Sequence, residues 1–132
     1  MEALPPMPGA YKDSRIYGCF ALNRLVAQLD IDLYQEGLEG KLEDILRTRD
    51  SAVSKEEIKH EIRSNHFMTN KVLEQLLGDG FITITLEEGR YRIRITKAGV
   101  LHIRKYNEFY KRIYEEQIRD HYKYTGLPYW FR

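Results

Sequence analysis

The apolar positions of this chain keep helical spacing, switch to strict alternation, and then return to helical spacing. Ile16, Phe20, Leu22, Leu25, Val26 and Leu29 predict a helix from Ser14 to about Leu29. Asp30 to Gly40, with Gly37 and Gly40, breaks that pattern. A second helix over about Leu42 to Thr48 sets Leu42, Ile45 and Leu46 on one side. Ser54-Lys-Glu-Glu57 then forms a capping box, in which the serine hydroxyl accepts from the backbone three residues on and the glutamate can reach back. Ile58 and Ile62 follow one turn apart in a short helix. After the polar break Arg63-Ser-Asn65, with Asn65 as a cap, a helix is expected over about His66 to Leu77. Met68, Val72, Leu73, Leu76 and Leu77 form its apolar stripe, and Gly78-Asp-Gly80 stops it.

Alternation begins at Ile82, Ile84 and Leu86, with Thr83 and Thr85 between them, and resumes at Tyr91, Ile93 and Ile95 between arginines. Two such runs around Glu87-Glu-Gly89 predict a β-hairpin. From about Lys97 to Tyr122 the stripe is helical again, through Leu101, Ile103, Tyr106, Phe109, Tyr110, Ile113, Tyr114 and Ile118. A continuous helix of that length would reach about 40 Å. Residues 1–13, rich in proline, read as an extended arm, and residues 123–132 as an aromatic tail.

The expected fold class is therefore mainly α with a small β-hairpin (α+β). Helix, capped short helix, tight turn, helix and hairpin is the order of a winged helix-turn-helix over residues 38–99. An extra N-terminal helix (14–37) precedes it and a long C-terminal helix (100–122) follows. Asp44-Ile-Leu46, Val72-Leu-Glu-Gln-Leu76 with Gly80-Phe-Ile82, and Ile93-Arg-Ile-Thr96 with Gly99 resemble the motifs of small archaeal winged-helix regulators that end in a long dimerising helix. The resemblance covers about residues 42–115 and implies a double-stranded DNA-binding protein, a homodimeric transcriptional regulator. This chain departs from the pattern with Glu56 and Glu57 where basic residues are common, and in its N-terminal helix and tail.

Composition narrows the classes. The apolar fraction of 42% and the charged fraction of 31% fit a soluble domain with a core. No run approaches the ~18 apolar residues of a membrane span. The N-terminal residues lack the basic-then-apolar pattern of a secretory leader. The lone Cys19 stands among apolar residues, which favours a buried thiol and an intracellular, cytoplasmic location. A net charge of +1 excludes coating of nucleic acid by bulk attraction, but the charge is unevenly spread. Arg90 to Arg112 holds eight Lys/Arg against Glu108 alone, whereas Asp30 to Asp44 holds six acids against Lys41. Either one basic face is displayed or the two regions neutralise each other.

In the DNA-binding reading, His66, Thr69, Asn70 and Lys71 face solvent on the 66–77 helix and enter the major groove. Asn70 would pair with adenine, Thr69 touch a thymine methyl, and Lys71 meet guanine or phosphate. Arg90, Arg92 and Arg94 share one strand face and would hold the sugar-phosphate backbone; otherwise they are the wet face of a small sheet. Ile103, Tyr106, Tyr110, Ile113 and Gln117 step by three and four, as in a coiled-coil seam, and would pair two copies unless they pack on the chain's own N-terminal helix. A protein-docking module and an architectural DNA binder are the alternatives. Enzyme signatures, metal-ligand spacing and cofactor motifs are absent: "His60-Glu61" has its next histidine six positions on, off the helix face a zinc pair needs. No catalysis, metal, cofactor or membrane partner is expected.

Overall fold

Six successive residues, Gly18 to Asn23, are buried within a single helix. Because a helix completes a turn in about 3.6 residues, such a run means that it is enclosed on every side. This helix, α1 (Ser14–Leu29), is the centre of the molecule. The computed structural model describes residues 14–131, and the arm expected over 1–13 lies outside them.

Around α1 stand α2 (Leu38–Thr48), β1 (Val53–Ser54), α3 (Lys55–Glu61), α4 (His66–Gly78), β2 (Ile82–Glu87), β3 (Arg90–Ile95), α5 (Lys97–Ile113) and α6 (Glu115–His121). The chain is mainly helical, with one small antiparallel sheet of order β1-β3-β2. β1 is a strand that alternation did not reveal, because two residues are too few to show a period. Its pairs are Val53 with Ile93 and Ser54 with Arg92. The β2–β3 register runs from Ile82 opposite Ile95 to Glu87 opposite Arg90. The two residues of the hairpin turn, Glu88 and Gly89, both have positive φ (53° and 77°). That mirror-image turn matches the natural twist of the strands, and a glycine in its second place makes it accessible.

Local signals place the middle of the chain. The Ser54 hydroxyl accepts from Glu57 N–H at 3.1 Å and donates to the Glu57 carboxylate at 3.1 Å. Ile58 and Ile62, fully buried, anchor α3 to the core. Arg63 turns the chain in the left-handed region (φ 54°), and Asn65 Oδ1 accepts from Met68 N–H at 2.7 Å to start α4. α2 begins at Leu38, four residues before the expected Leu42, after Gly37 with φ 75°. Thr96 opens α5 by accepting from Gly99 N–H at 3.1 Å while donating to Gly80 O at 2.6 Å. This clamps α5 to the end of α4. Gly99 sits so close to Phe81 that a Cβ there would run into the Phe81 carbonyl oxygen and come within 2.8 Å of Ile95 Cγ1.

The long C-terminal helix is broken. Tyr114 (φ −108°, ψ 17°) ends α5, and α6 follows at once. The break brings Ile118 and Tyr122 into the core rather than out along a straight rod. The Tyr122 ring meets Phe20 edge-on at 5.2 Å, and His121 stacks on Phe20 at 5.1 Å while its Nε2 lies 2.7 Å from Ile62 O. The tail continues the wrap: Trp130 lies 5.7 Å from Phe20, Tyr129 donates to Asn23 O at 3.2 Å, and Phe131 is buried under the Arg119 guanidinium. The tail thus covers apolar surface.

This packing corrects the coiled-coil seam. Ile103, Tyr106 and Tyr110 are buried in the chain's own core, and Ile113 and Gln117 are half-buried. The stripe is spent on α1 because the broken helix and the tail fold back over it. Between α1 and α5 a buried polar link also forms, with Asn23 Nδ2 donating to Asn107 Oδ1 at 3.1 Å and to Cys19 O at 2.9 Å. Cys19 is a buried thiol; burial pushes its pKa up to about 12, against the weaker opposing pull of Asn23 and Lys111.

Candidate nucleic-acid interface

One face of α4 is fixed by the core. Thr69, Val72, Leu73 and Leu76 are its buried residues, and at about 100° per residue they fall within one sector of the helix. Thr69 therefore leaves the set of groove-reading residues. It is fully buried, and its hydroxyl donates to Asn65 O at 2.8 Å. Its position three before Val72 and four before Leu73 outweighs its polarity. Leu77, expected in the apolar stripe, is instead 46% exposed, since it lies beside the buried sector rather than within it.

His66 and Lys71 are exposed and Asn70 half-buried, so these three stay available on α4. Glu74 shares the exposed side. The centre of that side is a residue the sequence reading passed over: Phe67 lies opposite the buried sector, in line with Lys71 and Glu74 one and two turns on, and is 77% exposed. The signal was present in the spacing, because Phe67 belongs to neither the Val72–Leu76 nor the Met68–Val72 row. Its hydrophobicity concealed that its place is outside.

The three arginines of β3 do share a face, with Ser54, Thr83, Thr85 and Glu87 across the strands. They differ in what holds them. Arg94 grips Glu87 with two hydrogen bonds, of 2.6 and 3.2 Å, donates to Thr85 at 3.1 Å, and has Asp50 at 3.8 Å. Hydrogen bonds from Arg94 and then Thr85 draw the Glu87 carboxyl down to about 2, and the same pairing raises the Arg94 guanidinium. Among the described residues, Arg90 and Arg92 make no such ion pair. Arg90 is exposed at the hairpin end, and Arg92 lies half-buried between Ser54 and Thr85 in mid-sheet. Glu87 thus holds one arginine by hydrogen bonds and leaves two without an ion pair among the described residues, with Arg92 adding only the last and weakest pull on its carboxyl.

The two predicted surfaces meet through Lys55. Ser54 is the register partner of Arg92 and caps α3, so Lys55 starts the helix beside the arginine strand. Lys55 Nζ in turn lies 3.5 Å from His66 Nε2 at the start of α4. A basic path therefore runs from Arg90 and Arg92 through Lys55 to His66. The acids at the start of α3 are turned aside, with Glu57 3.5 Å from Arg24 and Glu56 3.5 Å from Lys59.

Elsewhere the charges largely meet. Lys97 pairs with Glu43 at 3.2 Å, Lys111 with Glu108 at 2.7 Å, and the guanidinium of Arg104 reaches Gln35 O at 3.5 Å in the acidic loop. Of these contacts, only Lys97–Glu43 joins the basic segment to an acid of the acidic one. A cleft of about 830 Å³ between α1, α4 and α5 is lined by Arg15, Cys19, Val72, Leu76, His102 and Tyr110 among others, on the side of α4 away from Phe67. No cluster of His, Cys, Asp or Glu able to hold a metal occurs among the described residues. None of their helices is long and apolar enough to cross a membrane.

No protein-family model matches the chain, and a search of curated proteins finds no match.

Proposed function

We propose that residues 38–99 form a winged helix-turn-helix and that the protein binds double-stranded DNA, most simply as a transcriptional regulator. The element order α2-β1-α3-α4-β2-β3, with β1 closing the sheet beside β3, supports the winged reading, as does the resemblance of the Asp44, Val72–Leu76 and Ile93–Gly99 motifs to archaeal regulators. The observation that carries the DNA reading is the basic path. His66, Asn70 and Lys71 lie on the free side of α4, and Lys55 connects them to Arg90 and Arg92, which make no ion pair among the described residues. α4 would enter the major groove, while Arg90, Arg92 and Lys55 meet phosphates. Phosphate contacts position the protein, and base contacts specify the site.

Arg94 has a structural role in this scheme, being held by Glu87 and Asp50. Replacing Arg90 and Arg92 with glutamine should weaken binding to all duplexes alike and reduce the slope of log K against log salt by about two. Arg94→Gln should change that slope much less. The test is a duplex titration at two salt concentrations. Absence of duplex binding at low salt defeats the proposal. A steep salt slope without any sequence preference would assign an architectural role in place of a regulatory one.

A further inference from the structure

We infer that Phe67 reads a thymine, its ring packing on the C5-methyl group at the floor of the major groove. This rests on the DNA reading above and adds a specificity-determining contact to it. Phenylalanine is ordinarily among the most buried side chains, and Phe67, at 77%, is the most exposed of the five phenylalanines. Among the described residues Phe67 has no ring partner, whereas Phe20 and Phe81 each have stacked or edge-on neighbours.

Its placement suits a base rather than a protein surface. The backbone that carries the ring is held in place, because the Asn65 cap fixes the first turn of α4 and Met68, Thr69 and Val72 pin the other side to the core. Its surroundings on the free side are hydrogen-bonding or basic: His66, Asn70 and Lys71, with Lys55 3.5 Å from His66. A protein-docking anchor is usually ringed by further apolar groups. This rim complements a polyanion, with Glu74 as the one acid on the same side. Thymine is the only base that offers a methyl group in the major groove, and aromatic or aliphatic contact is how that group is read. Asn70, three residues on, is placed to take an adenine edge near the same step.

Deoxyuridine keeps the pairing of thymine and lacks only the methyl, so it isolates the contact. Duplexes preferred by the full-length protein are first selected from a random-sequence pool. Each thymine of the preferred duplex is then replaced singly by deoxyuridine, and Kd is measured for wild type and Phe67→Ala. Loss of one buried methyl should weaken wild-type binding about fourfold at one position of the site. Phe67→Ala should bind the thymine and uracil duplexes equally. Denaturation of Phe67→Ala should match wild type, since the ring is outside the core. If wild type binds duplexes but no thymine position matters, or if Phe67→Ala keeps the thymine preference, the Phe67 assignment is wrong and DNA binding stands. If wild type binds no duplex at low salt, both readings fall, and the exposed ring belongs to a protein contact.

Discussion

Phe20 and Phe67 carry the same side chain on helices of similar length and meet opposite fates. Phe20 is 1% exposed, encircled by Tyr17, His121, Tyr122 and Trp130, while Phe67 is 77% exposed and has no ring neighbour among the described residues. The contrast extends to their elements. α1 is enclosed by α3, α4, α5, the sheet and the tail, so even its polar Asn23 is buried and bonded. α4 is held by one sector and left free over the rest. The molecule is thus divided between a scaffold that covers its own apolar surface with an aromatic tail and a helix that leaves an aromatic ring uncovered. A chain that spends Trp130 and Phe131 on covering α1 does not lack the means to cover Phe67.

The largest expected effect is on that pair. Phe20→Ala should destabilise the fold by about 3–5 kcal/mol, since the ring's neighbours cannot all collapse into the space left. Phe67→Ala should change stability by less than about 0.5 kcal/mol, as exposed substitutions that leave the cap's own hydrogen bond in place do. Urea denaturation followed by circular dichroism reads both. Similar losses for the two variants would mean that Phe67 is packed, and the division between the enclosed helix and the one-sided helix would not hold.

Next comes the joint between the two regions. Gly99→Ala puts a methyl against the Phe81 carbonyl oxygen, a backbone atom that cannot swing aside as a side chain could. Overpacking of this kind costs about 1–3 kcal/mol. The same denaturation measurement checks it; an unchanged or raised midpoint would show that α5 and the Phe81 strand entrance are not in close contact.

How much of this was legible depended on how local the signal was. The caps at Ser54 and Asn65, the alternation of the hairpin and the stop at Gly78-Asp-Gly80 involve residues a few positions apart, and the structure follows them. Thr69 was misplaced because its polarity was weighed above its position between buried neighbours. The break at Tyr114 is not visible in the spacing, since Tyr110, Ile113, Tyr114 and Ile118 fit one continuous helix as well as two. Only the burial of Ile118 and of Tyr122, whose ring meets Phe20, decides it. Likewise, nothing in the run Arg90, Arg92, Arg94 says that Glu87 bypasses Arg90, its register partner, to hold Arg94. Of the candidate interface, the charged residues could be read from the sequence, and their division into held and free could not.

A smaller effect is expected at the cap that aims α4. Asn65→Ala removes the acceptor for Met68 N–H and should cost about 1 kcal/mol. Asn65→Asp should restore most of it, because a carboxylate oxygen accepts in the same place. If alanine and aspartate variants melt together with wild type, the first turn of α4 does not depend on the cap, and the held backbone that carries Phe67 is lost as a premise.

The smallest effect separates the held arginine from its neighbours. Glu87 has its carboxyl drawn from an ordinary value near 4.5 to about 2 by hydrogen bonds from Arg94 and Thr85. A depressed carboxyl contributes its stabilisation in full above the unfolded value and loses it as pH falls through the folded one. The Glu87–Arg94 pairing should therefore persist at pH 4 and disappear only toward pH 2. Because the pair is exposed to water, salt should narrow the gap, and the effect on global stability should be slight. A side-chain carboxyl titration by NMR, repeated in Arg94→Gln, measures it directly. Glu87 should return toward 4.5 in that variant and stay low in Arg92→Gln. If Arg92→Gln releases Glu87 as fully as Arg94→Gln does, the carboxylate is shared along the strand, no arginine of the row is free, and the distinction between a held and an available guanidinium collapses with the prediction that only Arg90 and Arg92 set the salt dependence.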